Sequence, residues 1–484
     1  MILVWMIGIL LAGGFLCWLL ARWNTQLSKW AALLSLAAGL LIVGSVAWQY
    51  GDTVRSQATW LIDYRINWIP AFGISFHVAI DGLSLVLLLL TFFLGLLAVL
   101  CSWNEIRERT GFYFFNLLWT LAGISGVFMA MDLFLFYFFW EVMLVPMYFL
   151  IAIWGDSNRR YAAYKFFIFT QAGGLLMLLA ILALYFVNAT QSGVYTFDYF
   201  DLLNVSLAPE TARWIMAGFL IAFAVKLPVV PFHNWLPDAH SEAPTAGSLI
   251  LAGLLLKTGA YGIIRFVLTL FPQAAADIAW WAMLFGAVGI VYGAMLAYAQ
   301  TDLKRLIAYT SVSHMGFVLL GVFAFREIAL QGVIMQLLTH GIGTGALFAM
   351  AGMLKERLHT RDIEKMGGLW SAMPAMGGMA LLFTMASLGL PMLGSFIAEF
   401  LILLGTFPVQ PALTSIATLG LIFAALYSLR MMQKVFLGPV KGASPPKDLT
   451  PRELIIMATL GISMVLLGLF PQPILDMVKM TVHQ

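Results

Sequence analysis

Apolar stretches follow one another from end to end of this chain, separated by short polar breaks. Each is about 20 residues long, enough to cross a hydrocarbon core of roughly 30 Å as a helix. The pattern predicts fourteen spans: 2–20, 30–49, 82–103, 112–131, 133–153, 163–187, 213–236, 246–269, 278–299, 304–324, 329–353, 373–405, 410–432 and 454–474. The 373–405 stretch is too long for one straight crossing. It holds Gly389, Pro391 and Gly394, so it is expected to break and resume. The 2–20 stretch has no basic leader and no small-residue cleavage site, and reads as a retained helix. The fold class is an all-α polytopic membrane protein.

Composition agrees: 62% of the 484 residues are hydrophobic and 10% charged, a balance no soluble domain has. Charge adds an orientation. Eighteen of the 26 Lys and Arg, among them Arg107, Arg159, Lys304, Arg305, Lys355 and Arg361, follow odd-numbered spans. Six lie on the other side: Arg55, Arg65, Arg213, Arg265, Arg326 and Lys479. The positive-inside rule then puts the odd loops in the cytoplasm and both termini on the opposite side. The net charge of +3 reflects this loop bias rather than nucleic-acid binding. Two cysteines, Cys17 and Cys101, cannot supply an iron–sulfur cluster or a tetrahedral metal site. The longest loops, 50–81 and 188–212, carry no Gly-rich phosphate loop followed by a helix, so no nucleotide site is expected.

The chemistry lies in ionisable residues inside spans, where a charge costs roughly 2.5–3.5 kcal/mol to insert. These are Glu141, Lys226, Lys257, His314, His340 and Glu399. Lys226 is followed by Pro228 and Pro231, and Glu399 by sequence follows the Gly389–Gly394 break. Their spacing is regular. Glu141 to His314 and Lys226 to Glu399 are each 173 residues, and Gln171 to His340 is 169. Each partner lies five spans later and so crosses in the opposite direction. This predicts two inverted five-helix repeats, each with a broken helix. The halves run over 112–269 and 278–436, flanked by three spans in 1–111 and by the last span and tail in 454–484. Lys257 has no counterpart at its own depth and is placed at the join.

Blander readings cover other residues. Asp81, Asp132 and Asp302 precede spans as N-caps. His233 and His240 are seven apart, but Pro237 separates them and no third ligand is evident, so no metal is expected. The aromatic run 134–140 reads as a packing or lipid-facing surface. Burial disfavours the charged form of a side chain and a nearby opposite charge favours it. A lysine that gains and loses a carboxylate, beside carbonyls freed by proline, is therefore suited to passing protons through water.

Several motifs carry a resemblance: AVKLPVVPFHNWLPDAHSEAPTAGS with LLLKTGAYGIIRF, HVAIDGLS (77–84), FWEVMLVPMYFL (139–150) and AQTDLKRLIAYTSVSHMGF (299–317). From about residue 75 to 475 the chain resembles the proton-translocating, antiporter-like subunits of respiratory complex I and its relatives. Glu at 399 and the short tail separate it from the sister subunits L and N. The resemblance implies that Glu141 and Lys226 form the first ion pair, Lys257 is a central relay, His314 and His340 carry the axis onward, and Glu399 is the terminal proton-loading residue. It implies a place in a bacterial inner membrane beside sister subunits L and N. The flavin mononucleotide, iron–sulfur clusters and quinone are then expected in partner subunits, with no cofactor on this chain. A subunit of a multisubunit Na⁺/H⁺ antiporter is the alternative that shares these motifs.

Overall fold

In lipid every backbone polar group must be satisfied within the protein, which selects helices. A computed structural model of the chain describes residues 1–54, 60–441 and 446–482. Arg55 and the side chain of Lys479 lie outside the described residues. Helices α1 (Ile2–Leu20) and α2 (Thr25–Val54) lead into a β-hairpin, β1 (Ile62–Ile69) and β2 (Ile74–Ile80). The strands are antiparallel, from Ile62 opposite Ile80 to Ile69 opposite Ile74. The hairpin is an addition to the expected all-α chain. Its residues, IDYRINWI and ISFHVAI, are β-branched and aromatic, and the loop they occupy is not crossing hydrocarbon.

Then come α3 (Gly82–Glu105), α4 (Thr110–Val127), α5 (Leu133–Trp154), α6 (Arg159–Ser192), the short α7 (Tyr199–Leu202) and α8 (Pro209–Lys226). After the elbow α9 (Trp235–Glu242), one continuous helix runs from Thr245 to Leu270. It comprises α10 (Thr245–Ile250), α11 (Leu256–Gly262) and α12 (Leu268–Leu270), joined by two π-helical segments, Leu251–Leu255 and Ile263–Val267. Helices α13 (Pro272–Ala299), α14 (Leu303–Val322) and α15 (Glu327–Leu358) follow. The chain closes with α16 (Leu369–Ala372), α17 (Pro374–Ser387), α18 (Gly394–Thr406), α19 (Pro411–Val435), α20 (Pro451–Leu469) and α21 (Gln472–Val482).

Among the described residues, eleven helices are long and apolar enough to cross a membrane, and α17 and α18 are shorter apolar helices. The 373–405 stretch does break, between Ser387 and Gly394. The three expected N-caps are present. Asp81 accepts from the Ser84 amide, Asp132 from those of Phe134 and Leu135, and Asp302 from that of Arg305. The central stretches of the Thr245–Leu270 helix and of α15 are buried, whereas α1, α2, α6 and α19 present large apolar side chains outward.

Two loop clusters mark the ends of the bundle. On one face, Asp132 and Asp198 form an isolated β-bridge beneath the hairpin. On the other, the basic face, Asp302 and Asp362 form a second bridge. The guanidinium of Arg361 there reaches Asp156, Glu242, Asp302 and the carbonyl of Ser241. Each bridge holds the residue that caps a helix, α5 or α14. The 22 residues of α5, about 33 Å at 1.5 Å per residue, separate the two faces.

Candidate functional site

The site is a row of side chains running through the middle of the bundle. Lys257 sits on α11 between the two π-helical segments, fully buried. Such segments are frequent at functional sites because they re-aim one turn of a helix. The Lys257 ammonium contacts Nδ1 of His340 at 2.6 Å and donates to the Ala252 carbonyl at 2.5 Å. His340 lies on α15, and its ring is 5.5 Å from that of His314 on α14. His314 Nε2 is 3.9 Å from a carboxylate oxygen of Glu399 on α18. Four of the six expected residues thus form one contiguous row.

The broken helix between α17 and α18 is built into that row. Ending α17 at Ser387 frees carbonyls from their helical partners. His314 Nε2 lies 3.3 Å from the Ser387 carbonyl and 3.5 Å from the Tyr427 hydroxyl, and the Ser395 hydroxyl donates to Ala386. Gly389 has φ +75°, and a Cβ on it would lie 2.8 Å from a Glu399 oxygen. Glycine is required there by both the left-handed backbone and the approach of the carboxylate. A cavity of about 20 Å³, room for about one water, is lined by His314, His340, Gln336, Thr339, Ser387 and Ser395 among others.

The other two expected residues stand apart from the row and from each other. Glu141, half-buried on α5, accepts from Gln171 Nε2 at 3.3 Å. Lys226, the last residue of α8, is buried with its ammonium making no hydrogen bond among the described residues. Instead it lies over the rings of Trp140 at 5.3 Å and Phe166 at 5.5 Å. The expected Glu141–Lys226 ion pair is therefore not a contact pair here, because the neighbouring rings hold the cation in place of the carboxylate. The carbonyl that the α8 break frees at Val225 is taken by the indole of Trp235 at 2.9 Å. Lys226 is nonetheless close to the central helix. A Cβ on Gly259 would come within 2.7 Å of the Phe223 carbonyl and 3.1 Å of the Lys226 Cβ.

Several charges carry more than their place in the sequence suggested. Arg265, counted among the outer-side cations, is buried in the second π-helical segment and paired with the capping Asp81. Lys304, counted as a loop cation, is buried and donates to the Ala243 carbonyl at 2.8 Å. Trp140, read as packing, faces Lys226. His233 packs edge-on to Tyr292, and His240 stacks on Phe348, so the two histidines sit against different walls. At the hairpin face, His77 bridges Asp198 at 2.6 Å and Asp63 at 3.0 Å. Burial opposes its charge, but hydrogen bonds and charge from Asp198 and Asp63 outweigh burial and raise its pKa above the ordinary histidine value.

A profile of the transmembrane family described as NADH:quinone oxidoreductase/Mrp antiporter matches residues 130–425, which contain the whole row. Fold and site together define an antiporter-like membrane subunit. The chain is 54% identical over 494 aligned residues to the NADH-quinone oxidoreductase subunit M of Pseudomonas aeruginosa, covering 100% of this chain and 97% of that protein. It superimposes with a TM-score of 0.87 and 30% identity on a chain of respiratory complex I from Thermus thermophilus, solved with bound NADH, covering 100% and 99% of the two chains. A chain of the Mrp complex from Dietzia sp. gives a TM-score of 0.87 at 21% identity, covering 99% and 96%, and shows the shared fold alone. The chain belongs to the NADH-quinone oxidoreductase subunit M family, as its motifs led us to expect, and is a membrane-embedded subunit of that enzyme complex.

Proposed function

We propose that this subunit moves protons across the membrane, driven by electron transfer from NADH to quinone in the rest of the complex. The observation that carries this is the contiguous row Lys257–His340–His314–Glu399, buried in the bundle and closed by a broken helix. Each member can hold or give up a proton, and each lies within contact or one water of the next. Glu141 and Lys226 form the other end of the path. Lys226 delivers its proton toward Lys257 across the close approach at Gly259, and movement between the rings and Glu141 switches it between neutral and charged.

The halves 112–269 and 278–436 act as inverted repeats, each breaking beside its ionisable residue, between 1–111 and 454–484. The matching antiparallel capping bridges at Asp132–Asp198 and Asp302–Asp362, on opposite faces, support that reading. The basic face is cytoplasmic in a bacterial inner membrane and both termini are periplasmic. Flavin mononucleotide, iron–sulfur clusters and the quinone site reside in partner subunits. The sister antiporter-like subunits L and N flank this one in the membrane arm.

The test is Glu399→Gln in the intact complex in inverted membrane vesicles. NADH oxidation in uncoupled vesicles stays near wild type while acidification of the lumen, read by a quenched dye, is lost. Acidification at the wild-type rate overturns the proposal. A sodium requirement for acidification would instead favour the Na⁺/H⁺ antiporter reading.

A further inference from the structure

His240 is a buried titratable group that the path above does not use. It lies in the last turn of the elbow α9, fully buried, with neither ring nitrogen hydrogen-bonded among the described residues. Its ring stacks on Phe348, centroids 4.5 Å apart and planes 6° from parallel. Phe348 is eight residues beyond His340 on α15, about 12 Å toward the basic face. On the other side, three residues past His240, the Ala243 carbonyl accepts from buried Lys304. The Ser248 hydroxyl donates to the carbonyl of His240 itself and ties α10 to the elbow. His240 is within electrostatic reach of both Lys304 and Lys257, and His340 is within reach of His240.

The supply side is polar as well. Glu105, half-buried at the end of α3, takes the amide and hydroxyl of Thr245 on one carboxylate oxygen, both at 3.0 Å. Its second oxygen is buried and makes no hydrogen bond among the described residues. Lys304 is within electrostatic reach of Glu105 and of Asp156, which stands in the charged cluster of the basic face. Packing alone does not account for an imidazole at 240. A phenyl ring stacks on Phe348 equally well, and burying two ring nitrogens without partners costs free energy.

We propose that His240 carries protons from Lys304 at the basic face to the Lys257–His340 pair, so that the α9 elbow is the access route to the centre of the row. The proposal rests on the proton-transfer reading above. In each passage the Lys304 ammonium gives a proton to His240, and the imidazolium then gives one to neutral Lys257. Neutral Lys304 is recharged from the aqueous face through Glu105. One proton enters and one moves on, with water spanning the gaps. Movement of the Lys226 proton toward Lys257 across Gly259 is then the lateral charge that drives the loaded Lys257 to pass its proton on to His340.

The experiment uses the intact complex in inverted vesicles and two variants. His240→Phe keeps the stack on Phe348 and removes the proton carrier. Acidification per NADH oxidised falls on the order of a hundredfold, the usual scale for a lost proton carrier, with the complex assembled. His240→Ala falls likewise and is restored by added imidazole, whereas pyrrole, a ring of similar size that does not take up a proton, restores nothing. Wild-type acidification in His240→Phe overturns the proposal, and so does equal rescue of His240→Ala by imidazole and pyrrole. Lys257→Ala is run alongside. If it too pumps normally, the proton-transfer reading itself fails. If it is blocked while His240→Phe pumps, only the access route is wrong.

Discussion

At the first helix break the ionisable group is a lysine whose ammonium faces the rings of Trp140 and Phe166, while at the second it is a glutamate standing in line with His314. The freed carbonyls differ in the same sense. Val225 is satisfied by the indole of Trp235, a group that does not titrate, whereas Ser387 is met by His314, which does. The first break thus holds a cation away from its counterion, and the second joins a carboxylate to a chain of proton carriers. Equivalent spacing in sequence produced unlike chemistry because the neighbours supplied by other helices differ. A lysine among rings is a group waiting for a partner, and a glutamate beside an imidazole already has one.

Lys257 is the point at which these two regions meet, so its removal is expected to have the largest effect. Lys257→Ala takes away the 2.6 Å contact to His340 while leaving Lys226 over Trp140. Proton transfer through the subunit is expected to fall a hundredfold or more, on the order of the loss of a general acid–base group. Dye-quench acidification per NADH oxidised reads it, with subunit content as the control for assembly. If acidification stays near wild type, the two breaks do not communicate through Lys257 and the comparison loses its centre.

The chain order of apolar runs was enough to read an all-α polytopic membrane chain, the break near Gly389 and the set of residues that form the row. Insertion cost singles out a charge inside an apolar run wherever it falls, so Lys257, His340, His314 and Glu399 stood out before any neighbour was known. What stayed hidden depends on partners far away in the chain. Arg265 and Lys304 sit near span ends, where a loop cation in water and a buried cation on Asp81 or the Ala243 carbonyl look the same. Trp140 reads as packing because its role needs Lys226, 86 positions on, to arrive over its face. The separation of Glu141 from Lys226 was equally out of reach, since spacing says which helices approach and not which side chains touch. Period-2 alternation in 62–80 is a legible signal for the hairpin, outweighed in a chain whose flanking runs are membrane spans.

The next effect tests whether the close packing of the first break against the central helix matters. Gly259→Ala puts a methyl group 2.7 Å from the Phe223 carbonyl and 2.8 Å from the Leu227 amide, both backbone atoms that side-chain rotation cannot relieve. Overpacking of this kind typically costs about 1–3 kcal/mol. The helices are expected to part, lowering both the thermal stability of the complex and its coupled pumping. Gly259→Ala with unchanged stability and pumping means that α8 and α11 need not be in contact, and the route from Lys226 to Lys257 must lie elsewhere.

A smaller effect probes what holds the first cation. Trp140→Leu keeps an apolar side chain and removes the ring 5.3 Å from the Lys226 ammonium. A buried cation–π contact is worth about 2 kcal/mol, so proton transfer through the first half is expected to change about thirtyfold. Trp140→Phe, which keeps a π face, is expected to lie between Leu and wild type. Equal behaviour of Leu and Phe would show that ring electrostatics do not hold Lys226, and the contrast between the two breaks would reduce to hydrogen bonding.

The smallest expected effect is confined to the hairpin face, where a histidine rather than an arginine closes the capping bridge. Arg361 serves that purpose at the basic face, whereas at the hairpin face His77, held between Asp198 and Asp63 with Arg65 at 3.2 Å from Asp198, titrates. Its pKa is raised in the folded protein, so its contribution is complete below the ordinary value of 6.5 and is lost as pH rises through the raised value. The hairpin should therefore loosen on the alkaline side while the basic face does not. The amides of Ala79 and Met131, which bond to Met129 and His77 across the join, report it directly. Their hydrogen exchange, corrected for the intrinsic pH dependence, should quicken severalfold as pH rises from below 6.5 through the raised value, and the amides of Leu303 and Ile363 at the other bridge should not change. His77→Gln should exchange at the fast rate throughout and abolish the dependence. A pH dependence that survives His77→Gln assigns the titration to another group, and one shared equally by both bridges removes the distinction between the histidine and the arginine.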